Sequence, residues 1–301
     1  MDFPRDVQPI LDRHCVACHN PDRMEGHVDL CGDHTPLFAV SYLTILRHNL
    51  IADGRNERFG NRPPRSIGSS ASRLLKLADG SHYDAKLSRR EQTVLRLWIE
   101  SSAPYAGTYA ALGSGMEPVE FPIPVMERRC GGCHGSPPPK RQIGTGMYFR
   151  FGTTGPPLPL VHAFLDLQRI RGSIGYYKPG DSLPPQAICN LTRPDKSILL
   201  RAPLCRESGG QGRCQPTVFA DAQDTDYRSI LAAIQEASRR ERQNKRFDMP
   251  GFRPNVYYLR HMQRYGILPD ELKPDRPIDL YATDQAYWKS LWYRPSEDTA
   301  K

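Results

Sequence analysis

Two pentapeptides in this chain share one pattern: Cys15-Val16-Ala17-Cys18-His19 and Cys130-Gly131-Gly132-Cys133-His134. Both read C-x-x-C-H, the sequence to which a c-type haem is attached. The chemistry dictates the spacing. Two thiols one helical turn apart each add to a haem vinyl group and form thioethers. The adjacent histidine then lies beneath the porphyrin and supplies an axial nitrogen to iron. At this Cys and His content, chance gives such a pentapeptide about 0.006 times per chain, by multiplying the frequencies of the residues the pattern requires. A zinc site built from two C-x-x-C pairs usually brings them within about 15–20 residues, whereas about 110 residues separate these two. A thioredoxin-like site needs a βαβ pattern around its cysteines, and none is visible here. Two haem c groups are therefore expected, one on Cys15, Cys18 and His19, the other on Cys130, Cys133 and His134.

The rest of the chain must position these groups. It has 301 residues, 39% of them apolar, with 28 prolines, 24 glycines and a net charge of +8. That length allows two domains. The apolar share is modest and the proline share high, so long irregular loops are expected around small cores. Charges of both signs are mixed with 14 Tyr, 10 Phe and 3 Trp, which argues against disorder. No run of about 18 apolar residues occurs, so no transmembrane helix is expected. The start, Met1-Asp2-Phe3-Pro4-Arg5-Asp6, has no apolar h-region, so no signal peptide is expected in this chain. Haem attachment nonetheless takes place in an oxidising, exported compartment. A periplasmic or otherwise exported location is expected, with the chain a processed form or the C-terminal piece of a longer protein.

Periodicity reads as mostly α. Phe3, Val7, Ile10 and Leu11 recur at helical spacing and lead directly into Cys15. Further helices are expected at Pro36–Leu50 and Ser72–Asp79. Ser88-Arg89-Arg90-Glu91 fits a capping box ahead of Val94, Leu95, Leu97, Trp98 and Ile99. Later helices are expected at Asp226–Arg246, Pro254–Tyr265 and Thr283–Tyr293. Residues 136–194 are rich in Pro and Gly and read as irregular. The domains expected are a first haem domain at 1–112, a linker at 113–118 and a second haem domain at 119–301. The three tryptophans read as packing residues.

The first domain resembles planctomycete-type cytochrome c domains. The similarity rests on Val7-Gln8-Pro9-Ile10-Leu11-Asp12-Arg13-His14-Cys15, on Lys86-Leu87-Ser88, on Leu97-Trp98-Ile99 and on Ala103-Pro104-Tyr105. The second half resembles the C-terminal region of hydrazine synthase alpha-subunit-related proteins. The residues are Asn190-Leu191-Thr192-Arg193-Pro194, the segment from Arg246 to Pro254, Arg264-Tyr265-Gly266-Ile267-Leu268 and the ending Tyr287 to Tyr293. The resemblance implies two cytochrome c-like haem domains. That enzyme's β-propeller and its separate haem centre have no counterpart here, so its synthase activity is not carried over.

Each motif names one axial ligand, and the second decides the role. Methionine raises the potential, a second histidine lowers it, and an open position permits catalysis. In similar domains a Met-Pro-Pro segment before Lys-x-Leu-Ser supplies a methionine. Here Gly80-Ser81-His82-Tyr83-Asp84-Ala85 occupies that place, so His82 is expected opposite His19, with His27, His34 and His48 as rivals. For the second haem Met249, in the turn Asp248-Met249-Pro250-Gly251, leads His162, His261 and Met262.

Cys31, Cys189, Cys205 and Cys214 remain, and a Cys205–Cys214 disulfide across Gly209-Gly210-Gln211-Gly212 is the favoured pairing. The basic run Arg239–Arg246 reads as a solvated helix end, with docking to an acidic redox partner as the alternative. No nucleic-acid motif accompanies it. The function expected is single-electron transfer by a di-haem module, working with a redox partner protein or fused redox domains. The alternative is a catalytic di-haem enzyme, peroxidase-like or hydrazine synthase-like, with an open second haem.

Overall fold

The computed structural model describes residues 1–52, 62–112, 114, 117–134, 185–273 and 277–292. Among them the chain is mostly helical, and β-structure is limited to isolated bridges at His34–Ala39, Asp79–Lys86 and Leu204–Phe219. The helices are α1 (Gln8–His14), α2 (Val40–Arg47), α3 (Arg73–Leu77), α4 (Arg89–Glu100), α5 (Ile123–His134), α6 (Ile198–Arg201), α7 (Thr225–Gln243), α8 (Val256–Arg264) and α9 (Leu280–Ser290). The chain packs as two compact units, one of Met1–Tyr105 with Met116–Gln243, the other of Ala106–Gly115 with Asn244–Lys301. Packing groups segments by contact, a different kind of division from the haem-domain boundary at 113–118 read from the sequence. No helix among the described residues is long and apolar enough to cross a membrane.

In the first unit, a wide π-turn at Phe3–Val7 feeds α1. Asp2 caps it: its carboxylate accepts from Arg5 N at 3.1 Å, while Asp2 N donates to Asp6 at 2.8 Å. Pro4 and Pro9 sit in first-turn positions, where a missing N–H costs nothing. The inward face then buries Phe3, Val7, Ile10 and Leu11. That face meets α4, whose buried stripe is Leu95, Trp98 and Ile99.

An aromatic cluster joins these elements. The Phe3 ring lies 5.1 Å from Tyr42, 5.4 Å from Trp98 and 5.8 Å from Tyr105, centroid to centroid. Buried Trp and Tyr need partners for their polar tips. Trp98 Nε1 donates to Pro104 O, Tyr42 OH to Ala103 O, and Tyr105 OH accepts from Ala39 N, each at 2.9 Å. The Ala103-Pro104-Tyr105 segment therefore exists to satisfy the cluster as well as to fill it.

The capping box on α4 is formed as its sequence implies. Ser88 Oγ accepts from Glu91 N at 3.3 Å, and Glu91 Oε2 accepts from Ser88 N at 2.9 Å. Glu91 also holds the end of α1, accepting from Arg13 and lying 3.2 Å from His14 Nε2. One carboxylate thus ties the end of α1 to the start of α4. The Ser88 hydrogen bonds, followed by His14 and Arg13, bring the Glu91 pKa down from 4.5 to about 2. A depressed carboxyl stabilises the fold above its unfolded pKa, and the contribution disappears as pH falls through the folded one. Ser88→Ala is expected to cost about 1 kcal/mol in chemical denaturation at neutral pH. Glu91→Gln is expected to flatten the loss of stability between about pH 4.5 and 2. An equally steep acid loss in Glu91→Gln would contradict this role.

The structure trims several expected helices. α2 starts at Val40, because Thr35 Oγ1 accepts from Leu37 N and Phe38 N at 3.1 Å and holds the chain in a turn there. It stops at Arg47, before Asn49 turns left-handed at φ 49°.

Later in this unit α5, α6 and α7 pack around Met126, Leu191, Leu200, Phe219, Tyr227, Ile230 and Ile234. Arg128 and Arg129 of α5 reach Asp226 at 2.6 and 2.7 Å, and Arg129 also reaches Asp224 at 2.7 Å. A node of hydrogen bonds connects this part to the loop after the first C-x-x-C-H motif: Asp33 Oδ2 accepts from Asn190 Nδ2 at 2.5 Å and from Arg193 Nε at 2.7 Å. The basic run at the end of α7 is partly consumed by ion pairs, Arg239 with Glu236 at 2.5 Å and Arg240 with Glu117 at 3.2 Å.

In the second unit, α8 and α9 enclose Ala110, Tyr258, Met262 and Leu280. Tyr258 OH donates to the buried Asp284 at 2.6 Å. α9 begins at Leu280 because Asp279 caps it, accepting from Ala282 N at 2.9 Å, a cap that the apolar pattern alone misses. Arg246 and Asp248 form a closed ion pair at 2.6 Å with side chains only 3% and 1% exposed. Of the tryptophans, Trp98 is fully buried, but Trp288 and Trp292 are 47% and 65% exposed. Trp288 is half-exposed but still packs against Tyr109 at 5.8 Å and Tyr287 at 5.6 Å, whereas Trp292, beyond the end of α9, is mostly exposed and not part of the core.

Candidate functional site

α1 delivers Cys15 directly: its N–H donates to Leu11 O at 2.8 Å, as if the helix continued. Cys18 N and His19 N then both donate to Cys15 O, at 3.2 and 3.0 Å. The two thiols and the histidine are thereby wound into one turn at the helix end. Burial raises the Cys15 thiol to about 11, so it is protonated at neutral pH.

The chain after His19 folds back to orient it. Leu30 N donates to His19 O at 2.8 Å, and His19 Nδ1 lies 3.0 Å from Glu25 O. A carbonyl can only accept, so Nδ1 carries the proton and Nε2 keeps its lone pair for a metal. Presenting that carbonyl takes a tight turn in which Met24, Gly26 and His27 all have positive φ, between 43° and 63°.

His82 faces His19. Their ring centroids are 6.0 Å apart and their planes only 12° from parallel. The two rings lie side by side as a near-parallel pair. The separation is also that of two imidazoles sharing one metal, roughly 6 Å between ring centres from a metal–nitrogen bond of about 2 Å and ~1 Å more to each centre. His82 stands in a short loop closed by the Asp79–Lys86 bridge. Gly80 N donates to Ala85 O at 3.1 Å, Ala85 N to His82 O at 2.9 Å, and Ser81 N to Asp79 at 2.8 Å. Tyr83 and Asp84, next to His82, both take positive φ.

The rival histidines are engaged elsewhere. His34 Nδ1 pairs with the buried Glu241 at 3.3 Å. His27 accepts from Arg213 Nη2 at 3.1 Å. His48 closes α2 and is half-buried. His14, next to the motif, belongs to the Glu91 tie, a role that adjacency to Cys15 did not suggest.

The second motif forms the last turns of α5, with Cys130 half-buried against the Met126 core. The side chains of Cys133 and His134 lie outside the described residues, as do His162 and residues 135–184. Met249 lies in the second unit, its sulfur accepting from Arg246 N at 3.4 Å within its own turn. Met262 is buried in the α8–α9 core, and His261 bonds Tyr287 OH at 3.1 Å. Packing, as expected for that helix, occupies both.

The Cys205–Cys214 disulfide is not formed. Cys205 carries a thiol that donates to Ala220 O at 2.8 Å, which holds it to its own turn. Burial, together with the Asp29 and Asp33 carboxylates, pushes the Cys31 thiol far above its ordinary value. Burial alone does the same for Cys189. Neither is a ready nucleophile.

Among the described residues, no group of three or more His, Cys, Asp or Glu would hold a metal ion unaided. At the first motif a bare ion would meet two imidazoles, while a porphyrin brings four nitrogens of its own. Two opposed imidazoles beside two thiols on one turn fit a covalently held haem. No family model, curated protein or solved structure matches this chain.

Proposed function

We propose that this chain is a di-haem c-type cytochrome module that passes single electrons, with cytochrome c-like domains around its two motifs and a redox partner protein or fused redox domains in an exported compartment. The observation that carries the reading is the opposed pair His19 and His82, 6.0 Å apart beside Cys15 and Cys18. Haem, when bound, supplies one-electron exchange at iron. The chain's own residues do the rest. Cys15 and Cys18 anchor the group, Glu25 O fixes the proton on His19 Nδ1, and His82 closes the opposite side. A group held between the two rings would leave no open side for a substrate, which suits the first site to electron transfer. Cys130, Cys133 and His134 hold the second group in the same manner.

The test is expression of the full chain with a c-type haem maturation system. The expected product gains the mass of two haems, and Cys130→Ser/Cys133→Ser gains one. Its first haem is expected to be low-spin and to refuse carbon monoxide when reduced. A product with no covalent haem would overturn the proposal. Carbon monoxide binding confined to the second haem would favour the catalytic alternative there.

A further inference from the structure

Eight of the thirteen large apolar side chains that stand exposed among the described residues belong to the second unit, although it is the smaller one. Most of the eight are aromatic. Exposed Tyr109, Leu112, Tyr257 and Trp288 meet around one open, mostly apolar cleft of about 310 Å³, into which the buried Tyr258 and Met262 also face. Past the end of α9 the chain keeps turning, Trp292 N donating to Lys289 O at 3.2 Å, and leaves Leu291 and Trp292 exposed beyond Trp288. Single exposed apolar side chains are ordinary, whereas a contiguous patch marks a surface that meets something apolar.

The exposed charges on the two helices have one sign. α8 carries Arg260 and Arg264 and no acid, and α9 carries Lys289 in its last turn. The one acid of α9, Asp284, is buried and accepts from Tyr258 OH at 2.6 Å, so it does not reach that surface. Arg260 lies over the Tyr257 ring, its guanidinium carbon 5.5 Å from the ring centroid, which puts cation and aromatic ring in one place. Trp and Tyr have an apolar body and a polar tip, while Lys and Arg have an apolar stem and a charged head. All four residue types therefore settle at the boundary between lipid chains and headgroups. An anionic lipid offers both features that this face complements: negative charge for the three cations, and a slender hydrocarbon chain for the cleft between the rings.

We propose that the aromatic face of the second unit is a docking surface for an anionic membrane. Tyr257, Trp288, Leu291 and Trp292 enter the headgroup boundary, while Arg260, Arg264 and Lys289 lie against lipid phosphates. The inference stands on the second unit alone and does not rest on the haem reading. It gives a place on the membrane surface to a chain in which no described helix is long and apolar enough to cross one.

The test is co-sedimentation of the full chain with vesicles of phosphatidylglycerol and phosphatidylcholine in equal parts, and with vesicles of phosphatidylcholine alone. Binding to the anionic vesicles is expected, weakening as salt screens the charges. A cation at the membrane surface is worth roughly fivefold in affinity, so Arg260→Gln/Arg264→Gln/Lys289→Gln is expected to weaken binding at least about tenfold. Trp288→Ser/Trp292→Ser is expected to weaken it by a similar factor. That variant is also expected to lose the quenching of tryptophan emission by brominated acyl chains, read relative to unbrominated vesicles. Arg89→Gln/Arg90→Gln/Arg96→Gln removes the same charge from α4 in the first unit and is expected to leave binding nearly unchanged. The proposal is overturned if the anionic vesicles are not bound, if the α4 variant loses as much as the α8–α9 variant, or if brominated chains leave the parent's emission unchanged. Sedimentation equilibrium without lipid supplies the other arm. A parent dimer that the Trp variant dissociates means that a second copy covers the face, and the lipid assignment falls. If circular dichroism shows that the Trp variant does not fold, Tyr257→Ser is judged by the same binding criterion.

Discussion

His82→Ala is expected to convert the first haem from six-coordinate low-spin to five-coordinate high-spin, and to let that haem, when reduced, bind carbon monoxide that it refuses in the parent. Among the described residues, His82 is the histidine whose ring pairs with that of His19, at 6.0 Å and 12°. His34 pairs with Glu241 and His27 with Arg213, so neither replaces it without giving up that partner. Loss of an imidazole donor also raises the potential. His82→Met is expected to keep the low-spin state and raise the potential further in the direction typical of His/Met ligation. Tyr83→Ala is the control, because Tyr83 is 90% exposed and its removal leaves the hydrogen bonds of the loop in place. A low-spin, carbon monoxide-inert His82→Ala protein would show that another group closes the site.

Trp98→Ala is expected to cost about 3–5 kcal/mol, the range for deleting a large buried aromatic side chain. That is a large share of the roughly 5–15 kcal/mol that holds a typical domain together. Trp98 is fully buried, touches Phe3 at 5.4 Å and Tyr42 at 6.4 Å, and donates to Pro104 O. Its loss leaves a cavity against the π-turn that feeds α1 and orphans the Pro104 carbonyl. The motif-bearing helix then loses its support, so the haem-loaded fraction is expected to fall with stability. Leu97→Ala, one residue away but 54% exposed, is expected to change stability by less than about 0.5 kcal/mol. Guanidinium titration of the two variants followed by circular dichroism checks the contrast, and similar losses in both would remove Trp98 from its place at the centre of this lobe.

Much of the fold was legible because its determinants are local. The helical run into Cys15, the Ser88–Glu91 capping box and the positions of α3, α7 and α8 follow from spacing and caps within a few residues. The misreadings came from equally local features that an apolar pattern ignores, namely the Thr35 turn that delays α2 and the Asp279 cap that advances α9. Trp292 was misjudged because it lies past the end of α9, where residue type alone does not say that a side chain finds a partner.

At the candidate site the division is sharper. Covalent attachment depends on two thiols and a histidine within five consecutive residues, so the sequence by itself determined the cofactor chemistry expected at Cys15–His19 and Cys130–His134. It also named His82, through the place that residue occupies ahead of Lys86-Leu87-Ser88. Only the tertiary structure decided that His82 pairs with His19, that Glu25 O sets the His19 tautomer, and that His27 and His34 are engaged elsewhere. Bond-forming chemistry is written in neighbouring residues, whereas ligand opposition and charge balance depend on distances through space between segments far apart in sequence.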